Sequence, residues 1–422
     1  MVKKTYTKLS NGLPFLFIEI PHTKSSAVSY WSKGGNRFNP KGKEGLAHLL
    51  EHLLLIKTKK YNTKAKLATK LESMGAFHNG FTGPSHIVFT IDCAAKDTEI
   101  VTGVLDDIVN NPFIDEKGIR SERKVIEKEI ARSKSSPGSV AYDKWAEIFL
   151  GNSPLQHSTL GTKKSLSKLS IDDCKNHWKK EVINNESMLA ISAGKKFEDI
   201  IDVAEKTFGQ VKLHSQTIPR FMYISSKDKI FKYKDLPQTN ILLGFRTIGG
   251  PVNDEFNSLS MLRNILGVGW SSRLQKRMRE KESLVYSWGA KNYNFFDTGA
   301  FVIYLATERN KLSKLLTVLA DELSILVKNG VTKDELKLYK GYYEGVMLSR
   351  MQKPWDYLNY YGDDELYWPN TLETIEERVE KIKKLTKGDV DKVINKYITN
   401  DNWYLSVVGG NKKEEIKFNL VK

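Results

Sequence analysis

Between positions 46 and 55 the chain reads Leu-Ala-His-Leu-Leu-Glu-His-Leu-Leu-Leu, mostly apolar and free of Gly and Pro. A run of that length and character predicts a buried helix. Residues 119–132 carry a different pattern, in which Glu122, Val125, Ile126, Glu129 and Ile130 recur at three- and four-residue steps. That spacing predicts a second helix whose inward stripe is apolar except for two carboxylates. Ile87-Val88-Phe89-Thr90-Ile91-Asp92-Cys93 has the character of a strand, and so does 27–35, which closes on Gly34-Gly35. The last of these has an echo: 240–250 is also strand-like and closes on Gly249-Gly250, 215 residues further on. Helical patterns recur at a similar offset. Val104-Leu105-Asp106-Asp107 is answered by Val318-Leu319-Ala320-Asp321, and Asp334-Glu335-Leu336-Lys337 echoes the Glu122 helix, with Tyr343 near the place of Glu129.

The chain therefore reads as one fold present twice. Each half mixes alternating strands with long helices, so the class is α+β: two homologous α/β-sandwich halves, each an antiparallel-dominated sheet covered by helices on one side. Ser, Thr and Pro gather between clear elements at 215–219. They divide the chain into an N-terminal half at 1–214, a linker at 215–229 and a C-terminal half at 230–422.

Composition narrows the function. At 422 residues the chain is long enough for two domains with good cores. No stretch approaches the roughly 20 apolar residues of a membrane span, and the N-terminus lacks the pattern of a signal or transit peptide. Two cysteines, Cys93 and Cys174, are too few for a disulfide framework, which points to a reducing, cytoplasmic setting. The net charge of +16 raises nucleic acid as a partner. The lysines, however, are scattered along the expected helices, with no basic block interleaved with aromatics. The charge is read as a matter of solubility rather than of specific nucleic-acid recognition.

Chemistry concentrates in the first helix. His48 and His52 are four residues apart, share a helical face and can grip one metal ion. Glu51 lies three residues from His48 and can reach a water activated by that metal, the general-base role of zinc hydrolysis. The spacing is the inverted zinc motif His-x-x-Glu-His. A third protein ligand must come from elsewhere, and the 119–132 helix offers two inward carboxylates that are costly to bury without a partner. A metal answers that cost for Glu129, and orienting a histidine answers it for Glu122. The second half has no histidine after His214 and cannot hold the metal alone.

Two further stretches are distinctive: Gly75-Ala76-Phe77-His78-Asn79-Gly80-Phe81-Thr82, and 271–287, which includes Arg279-Glu280-Lys281-Glu282-Ser283-Leu284-Val285-Tyr286-Ser287. Together with the zinc motif and the Glu-x(6)-Glu helix, they resemble the pitrilysin (insulinase) family of inverzincins, in its short-chain branch related to mitochondrial processing peptidase. The resemblance covers nearly the whole chain. It implies a zinc endopeptidase acting on short or unfolded peptides, with one Zn2+ per chain on His48, His52 and Glu129, Glu51 as base and Glu122 behind a ligand. It implies that Asn79, Gly80, Phe81 and Thr82 form an edge strand that pairs with the peptide. Gly80 stands where the family has Ala, a change expected to loosen the strand. Arg279 and Tyr286 occupy the positions that face the zinc across a chamber, where they hold substrate and stabilise the oxyanion. Ser283 replaces the family's Gly there. The two halves would form one side of a clamshell, with a second copy as the other side, giving a homodimer. The same fold also serves as a non-catalytic assembly subunit and as the catalytic partner of a heterodimer, which are the alternative readings.

Overall fold

A computed structural model of the chain describes residues 2–184, 186–214, 218–223, 230–233, 238–409, 416 and 418–420. Of the linker at 215–229, residues 218–223 are described; the rest of that segment lies outside the described residues. Among the described residues, eleven strands occur in two sheets: β1 (Lys3–Lys8), β2 (Pro14–Glu19), β3 (Ser25–Ser32), β4 (Phe77–Thr82), β5 (Ile87–Ala94) and β6 (Met188–Ala193), then β7 (Ile230–Tyr233), β8 (Gln238–Thr247), β9 (Val285–Asn294), β10 (Gly299–Glu308) and β11 (Trp403–Val408).

The first sheet has the order β1-β2-β6-β3-β5-β4 and the second β7-β11-β8-β10-β9. Each contains a single parallel pair, β2 with β6 and β7 with β11, and every other pairing is antiparallel. The second sheet thus repeats the first without β1. The repeat seen in the glycine pairs follows from this, because β3 and β8 occupy matching places.

One face of the first sheet carries the core, in which Phe15, Phe17, Val28, Phe89 and Ile91 pack against Leu49, Leu50, Leu53, Val104, Leu105 and Ile126. The second has an equivalent core built on Ile241, Leu243, Phe245, Phe301 and Ile303 with Leu262, Ile265, Leu319 and Leu323. Burial of this apolar surface is the main driving force for each half.

The opposite faces are covered as well, and by helices that cross over in sequence. The first compact unit comprises the described residues within Met1–Ala131, His157–Arg220 and Arg350–Leu372; the second comprises those within Arg132–Gln156, Phe221–Ser349 and Glu373–Lys422. Helix Pro137–Phe149, from the first half of the sequence, therefore packs on β8 and β11, and helix Pro354–Tyr367, from the second half, packs on β3 and β6. A Trp–Gly contact seats each helix. Trp145 is fully buried against Gly244 of β8, where a Cβ would lie 2.5 Å from the indole, and Trp31 of β3 is buried against Gly362, where a Cβ would overlap the indole. The tryptophan is on the helix in one case and on the strand in the other. The compact units thus differ from the linear halves 1–214 and 230–422, because hydrophobic periodicity shows that a helix face is buried but not which sheet buries it.

Candidate metal centre

Helix Leu46–Ile56 begins at Gly45, whose φ of +89° suits glycine, and the Asn39 side chain accepts from the Ala47 backbone N–H at 2.9 Å. It buries Leu46, Ala47, Leu49, Leu50, Leu53 and Leu54, which fixes its rotation and carries His48 and His52 along one edge of the buried stripe. The partner helix, Glu116–Ser135, starts where Asp115 accepts from the Gly118 N–H at 2.7 Å. Asp115 also pairs with Lys57 at 2.7 Å, tying the end of one helix to the start of the other. The buried stripe of this second helix is Gly118, Ile119, Glu122, Ile126 and Ile130. Val125, expected on the inward face, is 40 % exposed. It falls outside the stripe because three-residue steps taken repeatedly drift off a 3.6-residue period.

Four carboxylate–imidazole contacts make one cluster, three of them between the two helices and one within the first. His48 Nε2 lies 3.1 Å from Glu129 Oε2, His48 Nδ1 lies 3.2 Å from Glu51 Oε2, His52 Nδ1 lies 3.1 Å from Glu122 Oε2 and His52 Nε2 lies 3.9 Å from Glu129 Oε1. The two imidazole rings are 4.7 Å apart and nearly perpendicular. Burial alone would depress the His48 pKa, but the hydrogen bonds and charges of Glu51 and Glu129 outweigh it and hold the pKa above the ordinary value. Glu122 is held below the usual carboxylate range, first by its hydrogen bond with His52 and against the effect of its own burial. Glu122 and Glu51 are nearly covered, whereas the Glu129 side chain is 38 % exposed, so the cluster opens on the Glu129 side.

His48, His52 and Glu129 each present a ligand atom, and these atoms lie within 4.8 Å of one another. Two imidazoles and one carboxylate are the donor set of a catalytic zinc site with a position left open. Glu122 engages Nδ1 of His52 and so leaves Nε2 for a metal, the carboxylate–histidine arrangement that fixes a ligand ring. The residues present fit a zinc ion.

Edge strand β4 lies beside this cluster. Thr82 donates its hydroxyl to Glu51 Oε2 at 2.8 Å. A Cβ on Gly80 would come within 2.7 Å of Leu55 Cδ1 and 3.0 Å of Glu51 Oε1. Gly80 was expected to loosen the strand by removing a methyl; instead its bare Cα lets Glu51 and Leu55 approach, and the space is filled. Gly80 and Thr82 face the metal helix, and Phe81 faces the opposite side of the sheet. Asn79 is exposed. The hydrogen bond from Thr82 to Glu51 is a contact that the sequence did not reveal, because spacing along a strand says nothing about which side chain meets the helix beside it.

Arg279 and Tyr286 belong to the second compact unit, and His48, His52 and Glu129 to the first. Arg279 sits on a π-helical turn, Gln275–Lys281, and donates to the Val285 carbonyl at 2.7 Å. Tyr286, on β9, is 44 % exposed, and its phenol pKa is raised, chiefly by desolvation. Ser283 between them has φ +50°, the left-handed region that glycine enters most easily. In the second half, buried Leu336, Tyr339 and Tyr343 repeat the spacing of Ile119, Glu122 and Ile126, each 217 residues on. Tyr339 therefore answers Glu122, and Val346 rather than Tyr343 answers Glu129.

Comparison with known proteins now decides the family. Residues 15–163 match the model of insulinase (peptidase family M16), and residues 168–342 match the peptidase M16 inactive domain. An uncharacterized zinc protease of Rickettsia bellii is 30 % identical over 332 residues, 78 % of this chain and 80 % of that protein. The chain belongs to the insulinase family. An insulinase-family relative from Bacillus subtilis, also described as an uncharacterized zinc protease, is 24 % identical over 94 % of this chain and 96 % of its own. Two solved structures share the fold. A protease from Helicobacter pylori matches with a TM-score of 0.87 at 20 % identity, covering 97 % of this chain and 100 % of that one. A peptidase M16 inactive domain from Pseudomonas fluorescens matches with a TM-score of 0.89 at 18 % identity, covering 98 % and 99 %. No helix among the described residues is long and apolar enough to cross a membrane.

Proposed function

We propose that this insulinase-family chain is a zinc-dependent endopeptidase that cuts short or unfolded peptides. The observation that carries the reading is the convergence of His48, His52 and Glu129 within 4.8 Å, with Glu51 bonded to one of the ligands. His48, His52 and Glu129 would hold one Zn2+, which when bound supplies a Lewis acid that polarises the scissile carbonyl and makes water more acidic. The residues of the chain do the rest. Glu51 is fixed through Oε2 by Thr82 and His48; among the described residues its Oε1 makes no hydrogen bond, which leaves that oxygen open to accept a proton. Glu51 takes a proton from the attacking water as the oxygen–carbon bond forms, then gives it to the leaving nitrogen as the peptide C–N bond breaks. Glu122 keeps the His52 ring in place. β4 has a free edge beyond Asn79, Gly80, Phe81 and Thr82, and an extended peptide can add to it as a strand, which favours unstructured substrates.

The match of residues 168–342 to an inactive domain agrees with the lack of histidine after His214 and leaves the second half a supporting part. We propose that this part acts in trans, in a homodimer where Arg279 and Tyr286 of each copy serve the other's zinc site. Arg279 would hold the substrate backbone. Tyr286, whose phenol carries its proton at neutral pH, would donate to the developing oxyanion.

Metal analysis with a peptide-digestion assay tests the central reading. About one zinc per chain is expected, lost in His48→Ala, His52→Ala and Glu129→Gln. Glu51→Gln should keep the metal and lose cleavage. A Glu51→Gln protein that cuts peptides as fast as the parent would remove Glu51 from the role of base.

A further inference from the structure

An edge strand offered to a peptide has a mechanical weakness. Among the described residues β4 pairs with a strand on one side only, β5, so the backbone groups of its other edge do not help a sheet ladder hold it in place. Its position must come from side chains. On the metal side, Thr82 bonds Glu51 and Gly80 sits under Leu55 and Glu51. On the far side Phe77 is 67 % exposed, which leaves the ring of Phe81 as the large group packed against the sheet.

Phe81 does not rest on its own neighbourhood alone. Its ring makes edge-on contacts with Trp31 of β3 at 6.0 Å, with His86 at 5.9 Å and with Trp355 at 5.9 Å. Trp355 in turn stacks on Trp31, with centroids 6.2 Å apart and planes 18° from parallel. Trp31 is the rigid member: it is 1 % exposed, and its indole N–H donates to Ser29 Oγ at 2.9 Å. Trp355 lies in the first turn of helix Pro354–Tyr367, the helix that crosses over from the second half of the sequence and belongs to the first compact unit. Two more contacts seat that helix: Gly362 against the Trp31 indole, and Asp363, which pairs with His86 Nδ1 at 2.7 Å. Each ring contact of this kind contributes about 0.5–1.5 kcal/mol beyond the area it buries.

We propose that Trp355 is a positioning residue for the peptide-docking strand. By clamping Phe81 against Trp31, the crossed helix holds β4 at the level where Thr82 reaches Glu51 and the free strand edge stays presented to the peptide. The role assigned to the peptide rests on the endopeptidase reading above; the mechanical part, that Trp355 fixes β4, does not. The second half of the sequence thereby reaches the substrate strand through packing inside the first compact unit.

The test is hydrogen exchange of the segment 77–82 in the full-length protein, parent against Trp355→Leu, with KM and kcat on an unstructured peptide measured alongside. Losing the two ring contacts of Trp355 should speed exchange across 77–82 by roughly five- to 150-fold while β3 and β6 keep their protection. KM should rise more than kcat falls, with zinc content unchanged. Trp355→Phe, which keeps a ring, should recover most of both effects, and Asp363→Asn, which loosens the same helix at another point, should show a smaller change of the same kind. Unchanged exchange at 77–82 in Trp355→Leu overturns the proposal, as does faster exchange spread evenly over the whole first sheet, which would make Trp355 an ordinary packing residue. If Trp355→Leu fails to fold, Asp363→Asn decides: parental exchange at 77–82 in that variant overturns it. If the parent neither holds zinc nor cleaves peptide, the endopeptidase reading fails while the exchange experiment still returns its own answer.

Discussion

His177 is the residue whose environment makes the sharpest pH prediction. It closes helix Ile171–His177, is 5 % exposed, and its Nε2–H donates to the Gly34 carbonyl at 3.3 Å. Burial is the dominant influence and favours the neutral ring; the Gly34 bond pulls weakly the other way, and the Lys180 charge adds to the effect of burial, so that the pKa falls to about 4. An unfolded histidine titrates near 6.5. Because the folded pKa is depressed, the stability that depends on a neutral His177 is complete above the unfolded pKa and is lost as pH falls from about 6.5 towards 4. A displacement of about 2.5 pH units at 1.36 kcal/mol each sets the full loss at about 3 kcal/mol, of which about 2 kcal/mol falls between pH 7 and pH 5. That is a large part of the stability of an ordinary domain. The perturbation is His177→Gln, which keeps an N–H donor and cannot titrate. Urea unfolding at pH 7, 6 and 5 measures both proteins, and the quantity read is the difference between their pH dependences, which cancels the carboxylates common to both. The parent should lose about 2 kcal/mol more than the variant between pH 7 and pH 5. Parallel pH dependences for the two proteins would refute a neutral, buried His177.

Two other outcomes follow from different parts of the molecule. Mixing Glu51→Gln chains with Arg279→Ala/Tyr286→Phe chains should restore part of the peptidase activity, since one site of the mixed dimer then combines an intact metal centre with an intact Arg–Tyr pair; absence of recovery despite demonstrated subunit exchange would place the pair outside the partner's site. Gly244→Ala, whose Cβ would fall 2.5 Å from the buried Trp145 ring, should destabilise the protein by about 1–3 kcal/mol in thermal or urea unfolding, and Trp145→Phe should absorb much of that cost.

The parts of this site that could be read from sequence are those whose chemistry is local. Four residues on one helix bring His48 to His52, and seven residues on the next bring Glu122 to Glu129; both spacings are set by helical geometry and need no knowledge of the rest of the fold. The double glycines were visible because β3 and β8 fill matching places in the two sheets. What the sequence hid depends on long-range packing. Val125 was misplaced because a five-residue stripe was drawn where the helix buries a narrower one. Gly80 was misjudged because its effect depends on where Glu51 and Leu55 stand, not on the strand around it. Trp355 gave no signal, since nothing in its own segment says that it packs on a strand more than 300 residues earlier.

The repeat sets a candidate metal site in one half beside a matching frame in the other. Helices Leu46–Ile56 and Asp254–Gly267 each follow a glycine pair and each pack beside an edge strand, β4 or β9. The helix that supports them buries three matching positions in both halves. In the first half the middle position is Glu122, which reaches His52 of the candidate site. In the second it is Tyr339, whose hydroxyl donates to the Val268 carbonyl just beyond the end of the helix at 2.9 Å. Both side chains cross the same gap with one hydrogen bond. A carboxylate there suits an imidazole that must offer its other nitrogen to a metal; a phenol suits a helix end that only needs its carbonyl satisfied. The supporting helix holds the same place in both halves, and its bond goes to an imidazole of the candidate site in one and to a helix end in the other. Val346, in the place of Glu129, offers no ligand atom, and no histidine follows His214, so the second half keeps the frame of the candidate site without its His and Glu donors.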